Sequence, residues 1–489
     1  MSLDSEPRAI ASVLIASHWL AEPLCLCYFP FVNSMKKIAV IAGDGIGKEV
    51  IPQAVKVIEA TKAPVELTYL DWGADRYLRD GTTVPKDGFE MLARDFDAIF
   101  VGAFGDPRVP SNIHAKEILL GMRFKMDLYA NVRPVRLLDA SLCPLKGMEP
   151  KDIDFVVIRE NTEGPYVDRG SVTNEGTDDE VAIQEDVNTY KGVRRIIRYA
   201  FEYCAHNKKA DDTRRSRVLM SDKSNAMTYA GGLWQRVFKE VSAEYPQIKS
   251  EHMYVDALCA QMVRDPRQLD VIVTNNIFGD IITDLAAGLQ GGLGMAASGN
   301  IHPGKTSMFE PVHGSAPAIA GKNIANPMGA ILTAAMMLRH LGLTRQARWI
   351  EDGVLEAVRQ KKTTQDIGGN LGTSEVVLWS TKSKFIAYVG DPDFHDGAIR
   401  KISRNSDELV VEVEGSTGTR FAVRFVGVES VISYNPEEMG LEALVEMETV
   451  APSRRFVFVN WLEPEDQGGD AKLQIIARDF SVEKLMADG

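Results

Sequence analysis

Two carboxylates, Asp280 and Asp284, interrupt the apolar run TNNIFGDIITDLAAGLQGGLG between Thr274 and Gly294. Four residues apart, they share one face of a helix, one turn from each other. Held that way they repel unless a cation lies between them, and an oxygen donor set suits a hard divalent ion. A solvated helix face, or an aspartate capping a helix that starts at Gly279-Asp280, accounts for the pair equally well. Arginines supply the opposite sign: Arg123 and Arg133 in MRFKMDLYANVRPVRLL, and Arg159 in VVIRENTEGPY. A guanidinium stays charged and grips a carboxylate through two parallel hydrogen bonds. The three together fit a substrate with two carboxylates, whereas each alone fits a surface arginine. Tyr166 closes the second motif. Lys223 follows a strand in MSDKSNAM, and a lysine beside acids and metal can lose its proton and act as a base. Gly43-Asp44-Gly45-Ile46-Gly47 is a further candidate, because glycines at a helix start let backbone approach an anion. A dinucleotide reading adds Asp71 as the ribose-binding acid. The spacing is G-x-G-x-G, and a plain tight turn explains it as readily.

The elements that must carry these residues alternate. KIAVIAG, VELTYLDW, FDAIFVGAFG, DIDFVVIRE, SRVLMSDK, EHMYVDA and LDVIVTNN read as strands. KEVIPQAVKVIEATK, Thr189–Cys204 and Asn326–Leu341 read as helices. Interleaving of this kind predicts an α/β architecture with a largely parallel sheet. After about Val377 the texture changes to short alternating strands such as ELVVEVEG, FAVRFVGVESVISY, RRFVFVNWL and KLQIIARDFSV. These predict an antiparallel sandwich or barrel. Residues 377–489 hold twelve basic and twenty acidic residues, most of the chain's net charge of −13. That balance excludes nucleic acid as a main partner. Five scattered cysteines without a C-x-x-C pair fit a reducing cytoplasm. The apolar stretch Ala9–Phe31 is broken by Pro23 and an acid and makes a poor membrane span. Met35 before KIAVI reads as a natural start, with residues 1–34 an extension expected to be disordered.

In order, GDGIG, LYANVRPVRLL, IRENTEGPY, DKSNAM, YVDALCAQMV, the Asp280/Asp284 run and EPVHGSAPAIAGKNIANP resemble the metal-dependent β-decarboxylating dehydrogenases, the isocitrate/isopropylmalate dehydrogenase family. The resemblance spans about Met35 to Val377 and lies nearest the 3-isopropylmalate branch. It implies a two-domain fold with a mostly parallel sheet. Residues 35–128 and 291–377 would form a large cofactor-binding domain. Residues 129–290 would form a small domain with the dimer interface and the metal site, and 378–489 an appended antiparallel β domain. It implies Mg²⁺ or Mn²⁺ on Asp280, Asp284 and Asp256, with Asp256 and Lys223 donated across a homodimer with shared active sites. Arg123, Arg133 and Arg159 would grip the carboxylates. Lys223 would deprotonate the hydroxyl and Tyr166 would protonate the enol. Ile46, Glu310, His313, Gly314, Ser315, Ala316, Pro317 and Asn326 would meet the dinucleotide.

The resemblance also bears on specificity. NADP-using members place Lys-Tyr after Ala-Pro and later offer Tyr and Arg to the 2′-phosphate. This chain has Ala318-Ile319 and Gln365-Asp366-Ile367-Gly368-Gly369, which implies NAD. The acid that NAD users carry at position 318 is missing, so the preference is expected to be shallow. Isopropylmalate dehydrogenases have a Glu seven residues before the first arginine, followed by leucines. Here Lys116 stands there, then Glu117 and Ile118, with Leu119 and Leu120 as the apolar wall. The expected substrate is 3-isopropylmalate, with tartrate, malate, homoisocitrate or isocitrate as alternatives and a non-catalytic regulatory subunit as another. No function is assigned to the tail.

Overall fold

The computed structural model describes residues 35–207, 216–380, 385–394, 397–405, 408–434, 440–447, 454–460 and 472–485. The expectation for residues 1–34 lies outside the described residues. Strands β1 Lys36–Ile41, β2 Val65–Tyr69, β3 Ala98–Val101, β4 Ala130–Arg136 and β5 Asp154–Glu160 enter the main sheet. A separate exposed ribbon of β6 Gly170–Thr173 and β7 Val181–Gln184 follows. The sheet is completed by β8 Arg217–Asp222, β9 Lys249–Tyr254, β10 Val271–Thr274, β11 Ala297–Ile301 and β12 Ser307–Pro311. Its ten strands run β2-β1-β3-β12-β11-β4-β5-β10-β8-β9. Both wings are parallel, and their inner strands are buried, as AIFV and VIVT require with apolar side chains on both faces.

The middle is different. β12–β11, β11–β4 and β4–β5 pair antiparallel. The register places Ser298 opposite Glu310, Asn300 opposite Asn131, and Asn131 opposite Arg159. Opposed residues share a face, so a polar row crosses four strands where the wings are apolar. The alternating residues Val132 and Ile158 go to the other face and into the main core. β4, β11 and β12 were not expected as strands, because their alternation mixes Asn, Arg, Gly and Glu with apolar residues.

The two long predicted helices form as Tyr190–His206 and Met328–His340. The first starts on Thr189, whose hydroxyl accepts from Gly192 N at 3.0 Å. Among the described residues no helix is long and apolar enough to cross a membrane.

Beyond Val377 come β13 Phe385–Tyr388, β14 Gly397–Arg404, β15 Glu408–Glu414, β16 Arg420–Val426, β17 Ser430–Tyr434, β18 Gly440–Met447, β19 Arg454–Asn460, β20 Lys472–Ala477 and β21 Asp479–Lys484. β16 and β17 are separated by only three residues, β20 and β21 by only Arg478, and β16 pairs β21 while β17 pairs β20. They act as two bent strands. With β15–β16, β14–β15, β14–β18, β18–β19 and β19–β20 the pairing closes a ring. Closure removes free edges. The ring has its own core, in which the Phe425 ring lies 5.2 Å from Phe456, 6.0 Å from Phe458 and 6.2 Å from Phe480. We propose that residues 378–489 are a domain held by this cluster. Phe425→Ala should cost about 3–5 kcal/mol in the ring. Hydrogen exchange should show lost protection in β14–β21 with the main sheet unchanged; equal loss in both would count against a separate domain.

Candidate active site

The helix carrying the two aspartates is Asn276–Leu289, and its cap is Asn275, whose side chain accepts from Phe278 N at 2.9 Å. Asp280 is therefore not a cap. It and Asp284 point from one face toward the arginines of the polar row. Arg159 is 1 % exposed and forms a short ion pair with Asp280 through Nη1. Its Nε and Nη2 both donate to Asn276 Oδ1, at 3.0 and 2.7 Å. Arg133 donates to Asn131 Oδ1 at 2.8 Å and to Thr283 Oγ1 at 2.5 Å. Its Nη2 lies 3.5 Å from Asp280, and the Nη1 that meets Thr283 lies 3.8 Å from Asp284. Arg123 lies in the short helix Gly121–Lys125 and donates to Glu310 Oε1 at 2.8 Å. The Tyr166 hydroxyl donates to Asp280 Oδ2 at 3.3 Å, and its ring lies 5.5 Å from the Arg159 guanidinium.

These groups perturb one another. Burial, then the charges of Arg133 and Arg123, presses the Arg159 guanidinium below its ordinary value. Guanidinium is basic enough to stay protonated regardless. Burial alone would raise the Asp280 carboxyl, but Arg159, Arg133 and Arg123 outweigh it and hold it below the usual carboxylate range. Burial raises the Asp284 carboxyl, and Asp280 adds to the rise against Arg133. Burial and then Asp280 raise the Tyr166 phenol, so it keeps its proton at neutral pH.

Lys223 and Asp256 form a second, separate pair at 2.7 Å. Asp256 lies in the first turn of helix Val255–Arg264 rather than in a strand, and its side chain is 66 % exposed. The hydrogen bond from Lys223 holds its carboxyl below the usual range. Beside them Asp222 accepts from His252 at 2.8 Å and Gln235 at 2.9 Å, which fixes the turn that carries Lys223. Among the described residues of one chain, no three metal-ligating side chains come together.

On the other side of Arg123 lie the glycine loop and the His313 loop. Ile46 N donates to Ser315 O at 2.9 Å. A Cβ on Gly45, at φ +51°, would sit 2.0 Å from that carbonyl oxygen, so the close approach admits only glycine. Asp44 is fully buried and occupied internally. Its carboxylate accepts from Ala74 N at 2.7 Å, Gly105 N at 2.9 Å and His114 at 2.8 Å. Asp71 is taken by Arg76 and Arg79 at the surface. Neither acid of the dinucleotide-type reading is therefore free. His313 is buried, burial holds its imidazole below its ordinary value, and its Nε2 has no hydrogen-bond partner among the described residues. Gly314, Ala316 and Pro317 continue that loop, and Asn326 donates to Asp366 at 2.9 Å. Glu310 faces Arg123 and Asn300. Leu119 and Leu120 are half-buried on a π-helical turn, Lys116–Leu120, just before Arg123. Glu117 accepts from Thr83 at 2.5 Å, and Lys116 is exposed.

Asn131, Asn276 and Thr283 were not anticipated. A signal was present: Asn131 is two residues before Arg133 on a strand, and Asn276 is four before Asp280 on a helix, so each shares its neighbour's face.

The model of the isocitrate/isopropylmalate dehydrogenase family matches residues 37–378. A 3-isopropylmalate dehydrogenase of Thermobifida fusca (strain YX) is 46 % identical over 347 residues, covering 70 % of this chain and 95 % of the relative. One of Corynebacterium jeikeium (strain K411) is 48 % identical over 343 residues, covering 70 % and 97 %. The crystal structure of isocitrate dehydrogenase from Methylococcus capsulatus superposes with a TM-score of 0.64 at 37 % identity, covering 71 % of this chain and 98 % of that one. The ring of strands lies beyond the family match.

Arg159, on β5, crosses the helix of Asp280 and Asp284 at Gly279, where a Cβ would meet the arginine Cγ at 2.5 Å. Gly279→Ala should displace Arg159 and lower kcat/KM about 10- to 150-fold, the equivalent of one charged hydrogen bond. Steady-state kinetics test this; unchanged kinetics would mean that Arg159 has no part in catalysis.

Proposed function

The chain belongs to the isocitrate/isopropylmalate dehydrogenase family, and on that premise we propose that it oxidatively decarboxylates 3-isopropylmalate to 4-methyl-2-oxopentanoate and CO₂, a step of leucine biosynthesis. The observation that carries the reading is the convergence of the buried Arg133 and Arg159 on Asp280 and Asp284, with the charge of Arg123, itself paired with Glu310, also felt at Asp280. A dicarboxylate and a dication complete such a pocket.

The donor set fits a hard divalent ion, Mg²⁺ or Mn²⁺. Asp280 and Asp284 offer carboxylate oxygens from one helix face, with side chains 42 % and 57 % exposed and thus open to a ligand. The exposed Asp256 would supply the third carboxylate from the partner subunit. The dinucleotide fits the other side, where the glycine loop abuts the His313 loop and His313 Nε2 lacks a partner. Asp366 on Asn326 puts negative charge where a 2′-phosphate would need cations, which supports NAD over NADP. When bound, the metal would favour the ionised hydroxyl and polarise the ketone that forms, and the nicotinamide would accept the hydride.

The chain's own residues do the rest. Arg123, Arg133 and Arg159 orient the two carboxylates, and Leu119 and Leu120 face the apolar substituent. Lys223 of the partner subunit takes the hydroxyl proton. Tyr166, protonated and beside Asp280, returns a proton to carbon after CO₂ leaves. A homodimer is part of the proposal. It is supported by the exposed apolar residues Val172, Val181 and Ile183 on the β6–β7 ribbon and by Tyr254, Val263 and Ile281 on the elements around the aspartates. A cytoplasmic location belongs to the same reading. A regulatory role without catalysis is disfavoured by the retained Tyr166, Lys223 and aspartates.

With Mn²⁺ and NAD, the purified chain should turn over 3-isopropylmalate at least about tenfold faster in kcat/KM than isocitrate, homoisocitrate, malate or tartrate. Chelation should abolish turnover, and NADP should be the poorer cofactor. Preference for another acid would overturn the substrate, and silence on all five the enzyme. The shared site makes a second prediction. Lys223→Ala and Asp280→Asn chains should each be inactive, but mixed dimers should recover roughly a quarter of wild-type activity, because half the dimers hold one intact site. No recovery would place each site within a single chain.

A further inference from the structure

We infer that Asn300 is a positioning residue that holds the substrate-facing arginines in one mutual setting. The inference rests on the arginine cluster being the substrate site proposed above. Asn300 is fully buried on β11, in the middle of the polar row. Its Oδ1 accepts from Asn131 Nδ2 at 3.0 Å and from Asn161 Nδ2 at 2.9 Å, and its own Nδ2 donates to Glu310 Oε1 at 2.8 Å.

One further bond from two of these partners reaches an arginine. Glu310 Oε1 also accepts from Arg123 Nη2 at 2.8 Å. Asn131 Oδ1 accepts from Arg133 Nε at 2.8 Å. The third partner, Asn161, lies two residues after Arg159 at the end of β5, and its Nδ2 also donates to Leu128 O at 2.9 Å. Leu128 N in turn bonds Arg123 O at 2.8 Å. One carboxamide thus joins the strands and the helix end that carry all three guanidinium groups.

The chemistry requires an amide at this position. It must accept from two N–H groups and donate to a carboxylate while carrying no charge. Turning the amide over would set its oxygen against Glu310 and its NH₂ against two donors, so the orientation is fixed by the network. A leucine of similar volume offers neither function. An aspartate accepts from both asparagines but meets Glu310 with like charge. Gripping both ends of a short dicarboxylate depends on the gap between the arginines, since charged hydrogen bonds weaken steeply with misalignment. Of the residues expected to meet the dinucleotide, Glu310 is the member of this network, and it keeps its bond from Arg123.

The test compares Asn300→Leu and the near-isosteric Asn300→Asp with wild type in the full chain. The acid is the one that wild type turns over best, and Mn²⁺ and NAD are each varied as well. The expected result is a KM for the acid raised at least about tenfold in both variants. The KM for NAD should move less than about threefold, with a lesser fall in kcat. Equal increases for acid and NAD, or no increase for either, would overturn the inference. If Asn300→Leu does not fold, Asn300→Asp alone decides by the same split. Failure of wild type on every acid would instead strike the function proposed above.

Discussion

Three guanidinium groups on one face of a sheet, nearly out of reach of water, set the terms for the rest of the molecule. Burying one such cation is costly unless it is paired and hydrogen-bonded, and burying three together adds mutual repulsion. The fold meets this with side-chain oxygens: Asn276 and Asp280 for Arg159, Asn131 and Thr283 for Arg133, and Glu310 for Arg123. Three arginines then face Asp280, Asp284 and Glu310, so the pocket is formally neutral by itself. A dication and a dianion arriving together keep it neutral. On the proposed function, either alone leaves excess charge beside buried guanidinium groups, which would tie substrate and metal binding to one another.

The sheet topology serves this arrangement. Parallel wings carry ordinary apolar layers, while the antiparallel middle lets β12, β11, β4 and β5 oppose polar residues in register. From that middle, β12 leads directly into the His313 loop. On the other side β5 leads into the loop of Tyr166, while the helix after β10 presents Asp280 and Asp284. The His313 loop, the arginines and the acids are thereby fixed by neighbouring strand ends on rigid elements, with Gly45 and Gly279 allowing the closest approaches.

Much of this was legible in the sequence. The parallel strands are short runs of Val, Ile and Ala, and they fell where the pattern placed them. The i, i+4 spacing put Asp280 and Asp284 on one helix face, and the ordered motifs named the arginines. The capping alternative for Asp280 was settled only by Asn275, whose side chain takes that role. Three strands of the sheet's middle escaped notice because a buried polar row reads, letter by letter, like loop. Asp44 lay in a motif suggesting ligand contact, yet it binds three groups of its own chain, which no local pattern discloses. In the tail, alternation revealed most strands but not β13 or β18, and not the way β16–β17 and β21–β20 bend to close the ring.

We propose that the arginine cluster and the aspartates form one joint site for a dicarboxylate and a divalent ion. Calorimetric titration of 3-isopropylmalate into the full chain without dinucleotide, in the presence and absence of Mn²⁺, tests it most directly. Binding is expected to be at least about tenfold tighter with Mn²⁺, an added 1.4 kcal/mol or more. Equal affinity with and without the ion would contradict it.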